Sequence, residues 1–399
     1  MLLFKKREYD PYLQLKLFNL FMFGSWSLLN PFLPIYFQNI GFTNLQIGLL
    51  MSMGPMISIV ANPFWGYWSD RTQNTRLILL IMLTGNIILS QIYFQLSDFV
   101  LILIVMIIFY SFQTALNPLT SSLIFQTIQG TPYSFGTFRL WGSLGFAIII
   151  LIASPVIQWL GVENLGYLYG VFVLITLLLG FKLPKKRKQI SAKKGIGKDM
   201  FSLLTQPVFI LFLIFVVLLS IPNAMNSTFI AVFITELGGS EVSIGWSWFI
   251  AAIIEIPIFL LLDRYLQTSA RIMFGLMVVV GLLYTLRWIL MAISTAPIHI
   301  MFIQVFHSFT FGITMYTVTQ LCNYLVPKHL RTSGQALNGL FMAGISGMVG
   351  GLLGGQLFDH FNAPTMYFTG VGLSIVATIG FLGLWIWFTT HRDLDREAE

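Results

Sequence analysis

Residues 32–48, FLPIYFQNIGFTNLQIG, align without a gap to residues 229–245, FIAVFITELGGSEVSIG. Four positions are the same in both: Phe32 and Phe229, Gly41 and Gly238, Ile47 and Ile244, Gly48 and Gly245. Each copy runs into an Asp-Arg pair at its next polar turn, Asp70-Arg71 in GYWSDRTQNTR and Asp263-Arg264 in LLLDRYLQTSAR. The chain is therefore read as two copies of one unit, and each unit is apolar enough to live in a bilayer. Stretches long enough to span, about 20 residues each, fall near 12–37, 46–68, 77–96, 99–126, 138–160 and 164–182. They resume near 208–235, 243–262, 272–293, 298–325, 334–357 and 364–389. The expected fold is an all-α membrane protein with twelve transmembrane helices in two pseudo-symmetric six-helix bundles, residues 1–182 and 207–399, joined by a basic linker over 183–206. Two parallel repeats with a site between them at the membrane midplane are how alternating-access transporters are built.

Composition agrees. Of 399 residues, 56% are hydrophobic and 9% charged, against about 25% charged in soluble domains. Mean hydropathy is +0.82. The 37 Phe, 14 Tyr and 10 Trp suit lipid-facing and interfacial surface. The single cysteine, Cys322, excludes an internal disulfide and reads as a small buried side chain. A net charge of +7 raises nucleic acid as a partner, but no basic face is interleaved with polar surface, so none is expected. The opening MLLFKKREYD precedes an apolar run from Leu13 to Phe37 with no small-residue cleavage site. That run is too long for a signal peptide and reads as a retained first span.

Lys and Arg set the expected orientation. Lys5, Lys6 and Arg7 precede the first span; Arg71 and Arg76 follow the second; Arg264 and Arg271 follow the eighth; Lys328 and Arg331 follow the tenth; Arg392 and Arg396 follow the last. The connection from Lys182 to Lys198 carries eight basic residues, read as a solvated linker rather than an anionic-lipid site. The opposite loops, QNIGFTN, LSD, GVEN, ELGGSE, STAPIH and DHFNAP, contain neither Lys nor Arg. Both termini and the central loop are thus expected in the cytoplasm, in a multi-pass plasma-membrane protein.

Three titratable residues sit inside apolar sequence on successive expected helices: Glu255 in FIAAIIEIPIFLLL, Arg287 in VVVGLLYTLRWILM and His307 in IMFIQVFHSFTFGI. A charged group at the bilayer centre costs roughly 2.5–3.5 kcal/mol on insertion scales, so such residues face cavities and find partners. An acid, a permanent cation and an imidazole make a proton relay, with Arg287 expected to pair with Glu255; a static ion pair is the structural alternative. Arg139 lies in the first half without an intramembrane acid beside it, which points to a substrate anion or to a pairing with Glu255 across the cavity, with an interfacial snorkel near the cytoplasmic end of its helix as the alternative. Gln113, Asn117, Asn223 and Asn226 are uncharged candidates for the substrate site, with helix–helix hydrogen bonds as the alternative. No phosphate-binding glycine loop, GxSxG, HExxH or cysteine cluster occurs, so neither an enzyme, a metal nor a bound cofactor is expected, and energy is expected from a proton gradient.

These features resemble the major facilitator superfamily. Gly66, Asp70, Arg71 and Arg76 resemble its loop between helices 2 and 3, with Gln73-Asn74-Thr75 replacing the usual glycine and second basic residue. The resemblance implies a conformational latch at these residues. SFGTFRLWGSLGFA, residues 134–147, resembles the start of helix 5 in the lactose permease and 3-phenylpropionate transporter families, where the arginine matching Arg139 faces the cavity. His307 follows Arg287 by 20 residues and Glu255 precedes it by 32, close to the lactose permease spacing. In those families the Glu, Arg and His take part in proton coupling. Two acids of lactose permease are absent here, their positions being Ser121 and Thr310. The resemblance implies a proton symporter for a small organic solute: sugar, nucleoside or aromatic carboxylate; a monomer is expected. A proton-driven drug or metabolite exporter on the same fold is the alternative, and a scaffold protein with a dead transporter fold is a third class.

Overall fold

A computed structural model describes residues 12–184, 202–265 and 269–390. The basic linker expected over 183–206 lies largely outside these residues, as do the terminal Lys and Arg clusters and the side chains of Asp263 and Arg264. Among the described residues are twelve helices long and apolar enough to cross a membrane. They are α1 (Leu13–Asn39), α2 (Asn44–Thr72), α3 (Thr75–Tyr93), α4 (Phe99–Ile128), α5 (Phe135–Leu160) and α6 (Val162–Gly180) in the first half. The second half has α7 (Pro207–Glu236), α8 (Glu241–Tyr265), α9 (Ala270–Ala292), α10 (Pro297–Leu325), α11 (Lys328–His360) and α12 (Ala363–Thr390).

The four residues shared by the two repeats have structural roles that match. Gly41 and Gly238 close the turns after α1 and α7 at φ +94° and +81°, where a Cβ would be strained. Phe32, Phe229, Ile47 and Ile244 are each fully buried in their bundles. Gly48 and Gly245 lie where the bundles meet. A Cβ on Gly48 would come within 2.1 Å of the Gly351 carbonyl oxygen, and one on Gly245 within 2.1 Å of Ser154 Oγ.

The bundles join through α2 with α11, α5 with α8, and α1 with α7. Their closest approaches lie at the end whose loops have no Lys or Arg. There a Cβ on Gly355 would meet the Asn44 carbonyl oxygen at 2.4 Å. Packing of α2 on α11 runs along Leu340–Ile345 and Ser346–His360, with little over Arg331–Gly339 toward the basic end. The molecule is thus sealed at its non-basic end and splayed at its basic end.

Two helices depart from regular geometry in their interiors. The turn in α4 at Thr114–Ala115 comes four residues before Pro118, whose ring clashes with the carbonyl at that distance. In α11, Leu340–Ile345 forms a π-helical segment in contact with α2 and α7. Such bulges recur at functional sites.

Candidate functional site

Glu255 on α8 and Arg139 on α5 lie on opposite sides of the boundary between bundles, and their charges interact across it. Arg139 is exposed, and its coupling to Glu255 puts it on the side of α5 that looks toward the other bundle. Its guanidinium rests over the Phe23 ring of α1, 4.5 Å from the centroid, which holds an otherwise mobile side chain in place. Glu255 is half-buried, and α10 comes close behind it at Gly312, whose missing side chain leaves it room.

Arg287 on α9 does not pair with Glu255. It is fully buried, and its donors go to neutral oxygens: Nη1 to Asn223 Oδ1 at 3.2 Å and Thr310 Oγ1 at 3.4 Å, and Nη2 to Gln304 Oε1 at 3.5 Å. Nε has no partner. The cation lies over the Trp288 ring, 4.3 Å from the centroid, and Trp288 in turn stacks between Tyr284 and Tyr367. His307 on α10 is within electrostatic reach of Arg287, stacks on Phe311 at 5.3 Å, and leaves Nδ1 buried without a partner. The relay expected from the sequence is therefore divided. Glu255 is coupled to Arg139, while Arg287 sits in a cradle of neutral oxygens with His307 within its electrostatic reach.

Two of the expected latch residues, Arg71 and Arg76, bond within their own bundle. Arg71 donates to Tyr67 Oη at 3.0 Å and lies over Trp68, while Arg76 donates to the Leu183 and Phe181 carbonyls at the end of α6. Asp70 is exposed, and no atom lies within 4 Å of a Cβ placed on Gly66. Among the described residues no group of three or more His, Cys, Asp or Glu could hold a metal.

A model of the MFS_1 like family matches residues 12–369. The chain belongs to this family. It is 29% identical over 363 residues to an uncharacterized transporter, YwbF, of Bacillus subtilis (strain 168), covering 89% of each chain. To the maltose permease of Geobacillus stearothermophilus it is 26% identical over 383 residues, covering 96% of this chain and 95% of that one. The crystal structure of the nucleoside transporter NupG superposes with a TM-score of 0.83 at 18% identity, covering 94% of this chain and 99% of that one. The fold is that of the major facilitators, and the protein is a multi-pass membrane transporter.

In this family member the polar candidates differ in what they have free. Asn223 Oδ1 is taken by Arg287, and Asn226 Oδ1 accepts from Tyr367 Oη at 3.1 Å. Gln113 and Asn117 flank the break in α4, the first buried and the second half-buried. Gln304 and Thr310, which complete the cradle of Arg287, escape the sequence reading because each is one polar residue among many on α10. Thr310 carried a signal nonetheless, since it stands where the lactose permease resemblance implies an acid. Asp359, at the sealed end, also escapes it; its signal is an acid in the last turn of a helix, where the helix's own dipole disfavours it.

Proposed function

We propose that the protein is a proton-coupled symporter of a small organic solute, working by a rocker-switch between bundles. The observation that carries this reading is the placement of Glu255 and Arg139 on opposite bundles, facing each other across the space that opens at the basic end. Rocking the bundles changes the separation of the two charges. The free energy of ionising Glu255 then differs between the open and closed states, which is what coupling a proton to conformation requires. A neutral Glu255 also releases Arg139 to a substrate dipole or anion. Arg287 ties α9 to α7 and α10 behind this pair and keeps the local potential positive. With the positive-inside expectation, the basic end is cytoplasmic and the conformation inward-open.

Substrate-induced pH change in proteoliposomes tests the proposal, screening maltose and other sugars, nucleosides and aromatic carboxylates. Substrate should raise the external pH, and Glu255→Gln should abolish that proton movement while the protein still purifies as a folded species. Undiminished proton-coupled flux in Glu255→Gln would sink the assignment of Glu255. Proton release in exchange for drug-like cations would support an exporter instead.

A further inference from the structure

We propose that Asp359 is the latch of the sealed end, a carboxylate of the second bundle that caps the first turn of α2 in the first bundle. The idea rests on the alternating-access reading above. Asp359 Oδ1 accepts from the Asn44 N–H at 2.9 Å and Oδ2 from the Leu45 N–H at 2.7 Å. These are two of the N–H groups at the start of α2 that have no partner within the helix. The next is served locally, Gln46 N–H donating to Thr43 Oγ1 at 3.2 Å while the Gln46 side chain takes the Thr43 N–H. The first turn of α2 is thus completed only when the other bundle is docked.

The position of Asp359 gives it no reason to serve its own helix. It lies in the last turn of α11, facing the negative end of that helix's dipole, and is compensated by the positive end of α2. Gly355, one turn earlier, permits the approach, since a Cβ there would strike the Asn44 carbonyl oxygen. The pseudo-symmetric junction is built differently. The residue matching Asn44 in the repeat is Glu241, which places an acid in the first turn of α8 from within its own bundle. A carboxylate arriving from the opposite bundle would be repelled there. The latch is therefore one-sided, and opening the sealed end strips two α2 N–H groups of the exposed carboxylate that caps them.

The test uses the full-length protein with Cys322→Ser, which removes the one native thiol, and Ser52→Cys as reporter. Ser52 lies in the seam opposite Gly351, 1% exposed, so its thiol reacts with maleimide only when the sealed end opens. Asp359→Ala should raise the labelling rate roughly tenfold, equivalent to about 1.4 kcal/mol of lost closure. Asp98→Ala is the control, because Asp98 caps α4 within its own bundle by accepting from Leu101 N–H at 2.9 Å; its rate should not move. Asp359→Asn, which keeps one acceptor oxygen, should fall between and serves if the alanine variant does not fold. An unchanged rate in both Asp359 variants, or an equal rise in Asp98→Ala, overturns the latch. Substrate-dependent labelling of Ser52→Cys with native Asp359 would then leave the transport reading standing.

Discussion

Arg287 is a permanent cation, fully buried and surrounded by neutral oxygens, so its stability rests on every one of those acceptors. Hydrogen bonds to charged groups contribute about 1.5–3 kcal/mol each, and leaving such a donor unmet is costly. Asn223→Ala should therefore lower the thermal stability of the purified protein by an amount in that range. Asn117→Ala, which removes a half-buried amide outside this cradle, should leave the melting temperature nearly unchanged. Equal melting of the two variants would show that Asn223 does not carry Arg287. That Glu255, Arg287 and His307 lie inside membrane-spanning helices was legible in the sequence, because each sits within an unbroken apolar run. Their partners were not. Whether Arg287 meets Glu255 on α8 or Asn223 on α7 depends on the rotation and offset of neighbouring helices, which apolar patterning leaves open when all faces are hydrophobic.

At the scale of elements, hydropathy located every span, with its largest errors where helices continue through polar residues. α2 runs on through Trp68-Ser69-Asp70-Arg71 to Thr72, and α11 begins at Lys328 rather than near 334. A helix satisfies its own backbone, so it has no reason to stop where its side chains become polar. The break in α4 was foreshadowed by Pro118, whereas nothing in LFMAGI announces the π segment of α11. The glycines were legible only as repeats, and their roles emerge from packing. Gly48→Ala should push α2 from α11, because its Cβ would sit 2.1 Å from a backbone oxygen that cannot rotate away. Overpacking of this kind costs about 1–3 kcal/mol, so maleimide labelling of Ser52→Cys should accelerate several-fold. Gly66→Ala on the same helix meets nothing within 4 Å and should leave the rate unchanged. Equal rates in both would mean that the seam yields without opening.

For the whole molecule, the division of charge between its two ends ties conformation to direction. The sealed end carries acids but no Lys or Arg in its loops, and the splayed end carries the basic ones. Positive loops are retained in the cytoplasm, so the space bordered by Arg139 and Glu255 is expected to open inward. Two exposed positions test this in the Cys322→Ser background: Ser97 between α3 and α4 at the sealed end, and Thr72 at the end of α2 on the splayed side. Ser97→Cys should react with a membrane-impermeant maleimide in intact cells, and Thr72→Cys only after permeabilisation. The opposite pattern would invert the molecule, and with it the meaning of every gate. Asp359 would then close the cytoplasmic face, Glu255 would exchange its proton with the outside in this conformation, and proton-driven uptake would have to begin from a state with the opposite end open.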